Sequence, residues 1–115
     1  MEARPIEVEI YATRNGKWPF VEWLHSLWDL RGQAILIKRI RRLELGNPGD
    51  CKHFDDILEL RIDYGPEYRI YRGKKANTWI VLLGGGTKKT QNRDIEAAKA
   101  SWADWQIRFR SQRAI

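Results

Sequence analysis

The sequence contains few of the residues that bind metals or form covalent cross-links. It has one cysteine, Cys51, and two histidines, His25 and His53. A single cysteine excludes an internal disulfide, and the whole set is too small for a Cys-rich zinc site or another credible metal site. We therefore predict a protein that works without a metal or any other cofactor.

Long hydrophobic runs and low-complexity segments are also absent. No apolar run approaches the roughly 18 residues of a membrane span, and the start of the chain lacks the apolar segment and cleavage site of an exported protein. No repeat or Ser/Gly-rich linker divides the 115 residues. The sequence thus predicts one globular domain over residues 1–115, located in the cytoplasm and without a membrane partner.

A meander of three strands is predicted in the second half of the chain. Residues 58–63 alternate apolar and polar side chains, which is the period-2 pattern of a strand with one buried and one polar face. After a turn at residues 64–67 the alternation resumes, so Arg61 and Arg69 are expected on one face of the sheet. Residues 79–83 are continuously apolar, which indicates a strand covered on both faces.

The remaining segments predict one further strand and three helices. Residues 5–12 alternate as a strand whose pairing stays open, Pro19 begins a helix, and a second helix runs from Gly32 to Leu45. Residues 50–56 are predicted to form a loop, and a last helix closes the chain. The predicted order is β, α, α, β, β, β, α. It describes an α+β fold in which a mostly antiparallel sheet packs with a helical hairpin and a C-terminal helix.

The positive charge of the chain is concentrated around the meander. Between residues 61 and 93, eight basic residues face two acidic ones, and this excess of +6 equals the net charge of the whole chain. A concentrated positive field with tyrosines between the cations suits nucleic acid or an acidic protein. A solvated basic hairpin would have the same composition. The second helix is also basic, which fits either a solvated face or a second contact to phosphate.

Spaced motifs in this region carry a resemblance to a known family. They are Glu-Leu-Arg-Ile-Asp-Tyr-Gly-Pro at residues 59–66, Tyr-Arg-Ile-Tyr at residues 68–71, and Leu-Leu-Gly-Gly-Gly-Thr-Lys-Lys-Thr-Gln at residues 82–91. In this order they resemble RelE/HigB-type toxins of bacterial type II toxin-antitoxin systems, in the phage-derived branch called addiction module killer proteins. Residues 19–24 and 97–102 also fit. The resemblance implies a RelE/ParE-like fold, mRNA cleavage, often on the translating ribosome, and a cognate helix-turn-helix antitoxin encoded next to the toxin.

Side chains suited to metal-independent RNA cleavage can be named in this stretch. The reaction needs a base for the 2′-hydroxyl, cations around the phosphorane and an acid for the leaving 5′-oxygen. The resemblance supports Arg61 and Arg69 as phosphate ligands, and Lys88 and Lys89 as groups that neutralise or protonate the leaving oxygen. His53 has the intrinsic pKa of a base, with Asp63 as the alternative. The predicted RNA-binding residues are Lys52, Tyr68, Tyr71, Arg72, Lys74, Lys75 and Arg93, of which the tyrosines would stack bases.

Two other functions compete with this hypothesis. The related ParE branch shares the fold and acts as a non-enzymatic inhibitor of DNA gyrase. A catalytically degenerate phage protein would bind nucleic acid without cutting it. The only hint of the latter is Glu67, where the toxin branch usually has glycine, because it places a carboxylate beside Arg69. The arginines could also be ordinary charges on the surface of a sheet.

Overall fold

A five-stranded sheet organises the chain in a computed structural model, which describes residues 6–113. A 3-10 turn at Lys88–Thr90 joins the last strand to the last helix. The elements in chain order are β1 (Glu7–Ile10), α1 (Pro19–Ser26), α2 (Leu30–Glu44), β2 (Cys51–Phe54), β3 (Ile57–Ile62), β4 (Tyr68–Lys75), β5 (Trp79–Thr87) and α3 (Gln91–Arg113). The predicted α+β class, with helices beside the sheet and one at the C-terminus, is confirmed.

The strand order in the sheet is β1-β5-β4-β3-β2. All neighbours are antiparallel except β1 and β5, which run parallel. The pairing of the first strand, which the sequence left open, is therefore with the last strand. The strand covers residues 7–10 of the predicted range 5–12, and residue 5 lies outside the described part.

Both faces of the sheet are covered, and each has its own hydrophobic core. The first core contains Leu60, Ile70 and Leu82 together with residues of α1 and α2. The second contains Tyr71 and Val81 beneath the aromatic side of α3. Burial on both sides of residues 79–83 is thus confirmed, because their side chains alternate between the two cores. The polar face of β3 lies on the α3 side and is largely buried rather than solvated.

Two glycines allow tryptophans to lie directly on the sheet. A Cβ atom at Gly85 would collide with the ring of Trp23 from α1, and one at Gly73 would collide with the ring of Trp102 from α3. Only glycine permits such a close approach of a ring to the strand backbone. At these two positions α1 and α3 therefore pack directly against the backbone of the sheet.

A polar cluster ties the C-terminal half of α3 to the segment that follows β1. Asp104 accepts hydrogen bonds from the Tyr11 hydroxyl at 2.7 Å and from Arg14 Nε at 2.9 Å, and it forms an ion pair with Arg108 at 2.8 Å. These donors, the Tyr11 hydroxyl above all, lower the pKa of the Asp104 carboxyl below its usual value.

Two predicted element boundaries need correction. Residues 50–56 are not simply a loop, because Cys51–Phe54 form the edge strand β2, which pairs with β3. Its inward side chains, Cys51 and Phe54, pack on opposite cores, and the polar residues between them hid the strand in the sequence. The second helix begins at Leu30 rather than Gly32, since Asp29 accepts the Gly32 N–H at 2.8 Å as an N-cap.

No helix in the described range 6–113 is long and apolar enough to cross a membrane.

Candidate active site

Arg61 and Arg69 are direct cross-strand partners on β3 and β4, and Gly86 on β5 continues the row. Side chains of directly paired residues point to the same face of a sheet. The prediction that the two arginines share a face is therefore confirmed. The row lies on the α3 side of the sheet, near the end of β5.

The carboxylate of Glu59 is the centre of this site, and it is completely buried. It accepts hydrogen bonds from Arg61 Nε at 2.8 Å, from the Tyr71 hydroxyl at 3.0 Å and from Gln91 Nε2 at 2.9 and 3.1 Å. Arg69 Nε lies 3.6 Å from the same carboxylate. Donors from β3, β4 and α3 thus converge on one buried anion, which satisfies it and fixes the orientation of Arg61.

The charges within the row are nearly balanced. Two guanidinium groups face the carboxylate of Glu59, and the carboxylate of Asp94 occupies the space where a Cβ would lie at Gly86. The hydrogen bond to Glu59 raises the pKa of Arg61 above its usual value. Burial first, and Glu59 second, raise the pKa of Tyr71 far above its usual value, so this phenol is a hydrogen-bond donor and not a base.

The two arginines differ in how much they present to a ligand. The side chain of Arg61 is 33 % exposed, whereas that of Arg69 is 8 % exposed. Arg69 Nη1 donates to the carbonyl oxygens of Glu67 and Tyr68 at 3.1 and 3.3 Å. Arg61 is therefore the arginine whose guanidinium can bind a phosphate that approaches from solvent. Arg69 is nearly buried and contributes mainly positive electrostatic potential.

The predicted lysines lie at the end of the same row. Lys88 follows β5 directly, and its backbone N–H donates to the carbonyl of Glu67, next to Arg69 in β4. Its Nζ is 3.6 Å from the Glu67 carboxylate, and its side chain is 65 % exposed. Lys89 is exposed beside it. The lysines can therefore meet a ligand, although Glu67 offsets part of the charge of Lys88.

Two further predicted RNA-binding residues, Lys52 and Arg93, lie near the arginine row. Lys52 is the cross-strand partner of Glu59, so its exposed side chain shares the face of the arginine row. Arg93 lies in the first turn of α3, where it is exposed and forms a 3.4 Å ion pair with Asp94. Both add positive charge at the rim of the site.

His53 cannot act as the base of this site, and that prediction is wrong. It is the cross-strand partner of Leu58, which belongs to the core on the α1 and α2 side. Its exposed side chain therefore projects from the face opposite to Arg61. The alternative base, Asp63, is exposed just beyond the end of β3, two residues after Arg61.

Base stacking by Tyr68 and Tyr71 is contradicted by their burial. The Tyr68 ring packs edge-on against Trp23 in the first core, and its hydroxyl lies 3.2 Å from Asp29. The Tyr71 ring is completely buried in the second core and donates to Glu59. Both tyrosines support the sheet, and neither presents a ring face to a nucleotide.

The other basic residues of β4 do not join the arginine row. Arg72 and Lys74 are opposite Leu82 and Ile80, which places them on the α1 and α2 side. Lys75 lies over the ring of Phe109, towards the far end of α3. The basic residues of the predicted positive cluster are therefore divided between the two faces of the sheet, because successive residues of a strand point to opposite faces.

Sequence reasoning missed Glu59 and Gln91 as parts of the site. Glu59 and Arg61 are the two charged residues of an otherwise apolar strand, and their spacing of two positions was the available signal. Gln91 carried no such signal, because its contact with Glu59 spans 32 positions of sequence. Within the described residues, no group of three or more His, Cys, Asp or Glu side chains comes together as a metal site.

Comparison with known proteins identifies a relative in Haemophilus influenzae. No protein-family model matches the chain. An uncharacterized protein of Haemophilus influenzae is 47 % identical over 81 residues, which cover 70 % of this chain and 82 % of that protein. The chain belongs to the same family as this Haemophilus protein.

Proposed function

We propose that this protein is the toxin of a bacterial toxin-antitoxin module and cleaves mRNA without a metal ion. It would act in the cytoplasm, on translating ribosomes, until a helix-turn-helix antitoxin encoded beside it binds and inhibits it. The RelE/HigB-like motifs support this reading. The α+β fold, with a mostly antiparallel sheet and a C-terminal helix, is compatible with it.

One observation carries the proposal, namely the arginine row held by a buried carboxylate with two lysines at its end. The transition state of RNA cleavage is a phosphorane with more negative charge than the substrate. Preorganised cations stabilise that extra charge without having to rearrange during the reaction. Glu59 holds Arg61 in place through the Arg61 Nε, and the partly exposed guanidinium keeps its Nη groups available to a ligand.

In the proposed reaction the 2′-hydroxyl attacks its own phosphorus. Asp63 takes the proton of the hydroxyl, the new 2′-oxygen to phosphorus bond forms, and the bond to the 5′-oxygen breaks. Lys88 or Lys89 donates a proton to the leaving 5′-oxygen, and Arg61 donates hydrogen bonds to the non-bridging oxygens. The products are a 2′,3′-cyclic phosphate and a 5′-hydroxyl end. No oxidant or metal is needed for this balance.

Primer extension on total RNA after brief induction tests the proposal. We expect new 5′ ends within translated messages for the natural protein and for Arg110→Ala, which changes an exposed arginine of α3 outside the site. We expect their loss for Arg61→Ala, with a fall of roughly 100-fold or more for a lost transition-state contact. Cleavage that persists in Arg61→Ala would contradict the assignment.

A second candidate function has one observation in its favour. The ion pair between Glu67 and Lys88 reduces the charge available to a substrate, as expected of a degenerate protein that binds nucleic acid without cutting it. RNA binding with no new 5′ ends would favour this function. Stalled replication with intact RNA would instead favour a ParE-like gyrase inhibitor.

A further inference from the structure

Arg72 is a buried guanidinium for which the described residues supply no anion. The residue is 9 % exposed, and its Nε is inaccessible and makes no hydrogen bond within residues 6–113. Arg39, the other buried arginine on this side, is different, since it donates to the carbonyls of Pro48, Asp50 and Arg61. Among the residues that the structure describes, Arg72 is thus the buried arginine on this face whose Nε has no hydrogen-bond partner.

A small cavity opens beside Arg72. It has a volume of about 70 Å³. Ile6, Leu43, Pro48 and Ile80 form apolar walls, and Arg72 and Lys74 are the charged groups that line it. Lys74 is exposed, so the cavity has a buried cation inside and an exposed cation at its edge.

The energetics favour an anion in this cavity. Burial lowers the pKa of Arg72, yet a guanidinium stays protonated in proteins, so an anion beside it would offset the cost of burying its charge. A planar guanidinium combined with a lysine is a common way to hold an oxyanion. We propose that Arg72 and Lys74 form a second anion-binding site, which receives a carboxylate side chain from an acidic segment of a protein partner.

The shape of the cavity favours a carboxylate from a protein over a phosphate from RNA. The volume accommodates a group of a few heavy atoms, such as a carboxylate on an alkyl stem. A phosphodiester lies in the middle of a chain and carries two bulky substituents, which a small cavity with apolar walls would exclude. The walls instead suit the methylene groups of a glutamate side chain.

The surroundings of the cavity fit the same partner. Leu45 follows α2 beside the cavity residue Gly46 and is 85 % exposed. Arg41 and Arg42, in the last turn of α2, are also exposed. A segment with glutamates next to an apolar residue would therefore match the charge and the exposed leucine together. The site is on the opposite face from Arg61, so it does not depend on RNA cleavage.

Nuclear magnetic resonance of the full chain tests this proposal directly. The probes are N-acetylglutamate N-methylamide, the matched neutral N-acetylglutamine N-methylamide, and inorganic phosphate. The signals are the Arg72 Nε–H and the methyl groups of Ile6, Leu43 and Ile80. We expect saturable shifts with the glutamate probe, with a Kd of roughly 1–10 mM for a single ion pair, and none with the glutamine probe.

Two variants keep the test decisive. Arg72→Met should lower the affinity for the glutamate probe at least about tenfold. Lys74→Gln, at an exposed residue, should lower this affinity about threefold without affecting the fold. Equal shifts from the two amide probes, or unchanged affinity in Lys74→Gln, would overturn the proposal. Saturable shifts with phosphate alone would replace the protein partner with a phosphate ligand and also overturn it.

Discussion

Glu59 Oε1 accepts the Nε–H of Arg61 at 2.8 Å while the same carboxylate lies 3.6 Å from Arg69 Nε. One buried anion therefore supports both cations of the proposed site. A glutamate in the interior of a strand is costly unless it is paired, and here its partners are the groups that would bind substrate. Stability and the proposed function would consequently depend on the same contacts.

Glu59→Gln tests this dependence. The substitution keeps the shape of the side chain but removes the charge that Arg61 and Arg69 share. We expect a loss of about 1–3 kcal/mol in the free energy of unfolding, measured with urea, together with a loss of RNA cleavage. Glu22→Gln, on the exposed face of α1, should change neither quantity. A Glu59→Gln protein as stable as the natural one would refute the central role of the carboxylate.

Replacement of Glu67 should raise activity. Glu67 has a positive φ of 60°, a region that favours glycine, and its carboxylate pairs with Lys88. Glu67→Gly should relieve the backbone and release the lysine, with a gain of up to about 1 kcal/mol in stability and faster cleavage. Glu67→Gln separates the two causes, because it removes the charge and keeps the strained backbone. Slower cleavage in both variants would show that the carboxylate takes part in the reaction.

The identity of the base can be decided by two single variants. His53 lies on the wrong face, so His53→Ala should leave the rate and pH dependence of cleavage unchanged. Asp63→Asn should lower the rate by about 100-fold if Asp63 accepts the 2′-hydroxyl proton. The measurement is single-turnover cleavage from pH 5 to 9. A large loss in His53→Ala would require a different arrangement of β2.

The close approach of Trp23 to the sheet makes a stability prediction. Gly85→Ala would place a methyl group inside the space of the indole ring, and we expect a loss of about 1–3 kcal/mol from overpacking. Gly84→Ala is the matched control, because a Cβ there meets nothing within 4 Å. In urea unfolding, Gly85→Ala should have a clearly lower free energy of unfolding than Gly84→Ala. Equal stability would mean that Trp23 can move away without cost.

The lowered pKa of Asp104 predicts acid sensitivity. A carboxyl with a depressed pKa in the folded state stabilises the protein above its unfolded pKa, near pH 4, and loses this contribution as pH falls through the folded value. The natural protein should therefore exceed Asp104→Asn in stability at pH 6, and the difference should shrink below pH 4. Asp56→Asn, an exposed change, serves as the control. A difference independent of pH would contradict the linkage.

The sequence predicted much of the fold because the strands β3 to β5 have clear patterns. Alternation placed Arg61 and Arg69 on one face, and the apolar run placed β5 in the interior. β2 was missed because two of its four residues, Lys52 and His53, are exposed on an edge strand. Edge strands lack the continuous burial that makes a pattern visible in the sequence.

The candidate site was predicted less well because composition does not reveal to which face of the sheet a side chain points. Basic residues three positions apart in β4, Arg69 and Arg72, lie on opposite faces of the sheet. A β-bulge between Tyr71 and Arg72 also changes the register with β5. Contacts such as that of Gln91 with Glu59 join distant parts of the chain, and no local pattern encodes them.

The contact between Gln91 and Glu59 has a mechanical consequence. Gln91 is the first residue of α3, and Lys88 and Lys89 form the turn immediately before it. The position of α3 on the sheet therefore sets the distance between the two lysine amines and Arg61. A partner that displaces α3 from the sheet would separate the lysines from Arg61 without changing any of these side chains chemically.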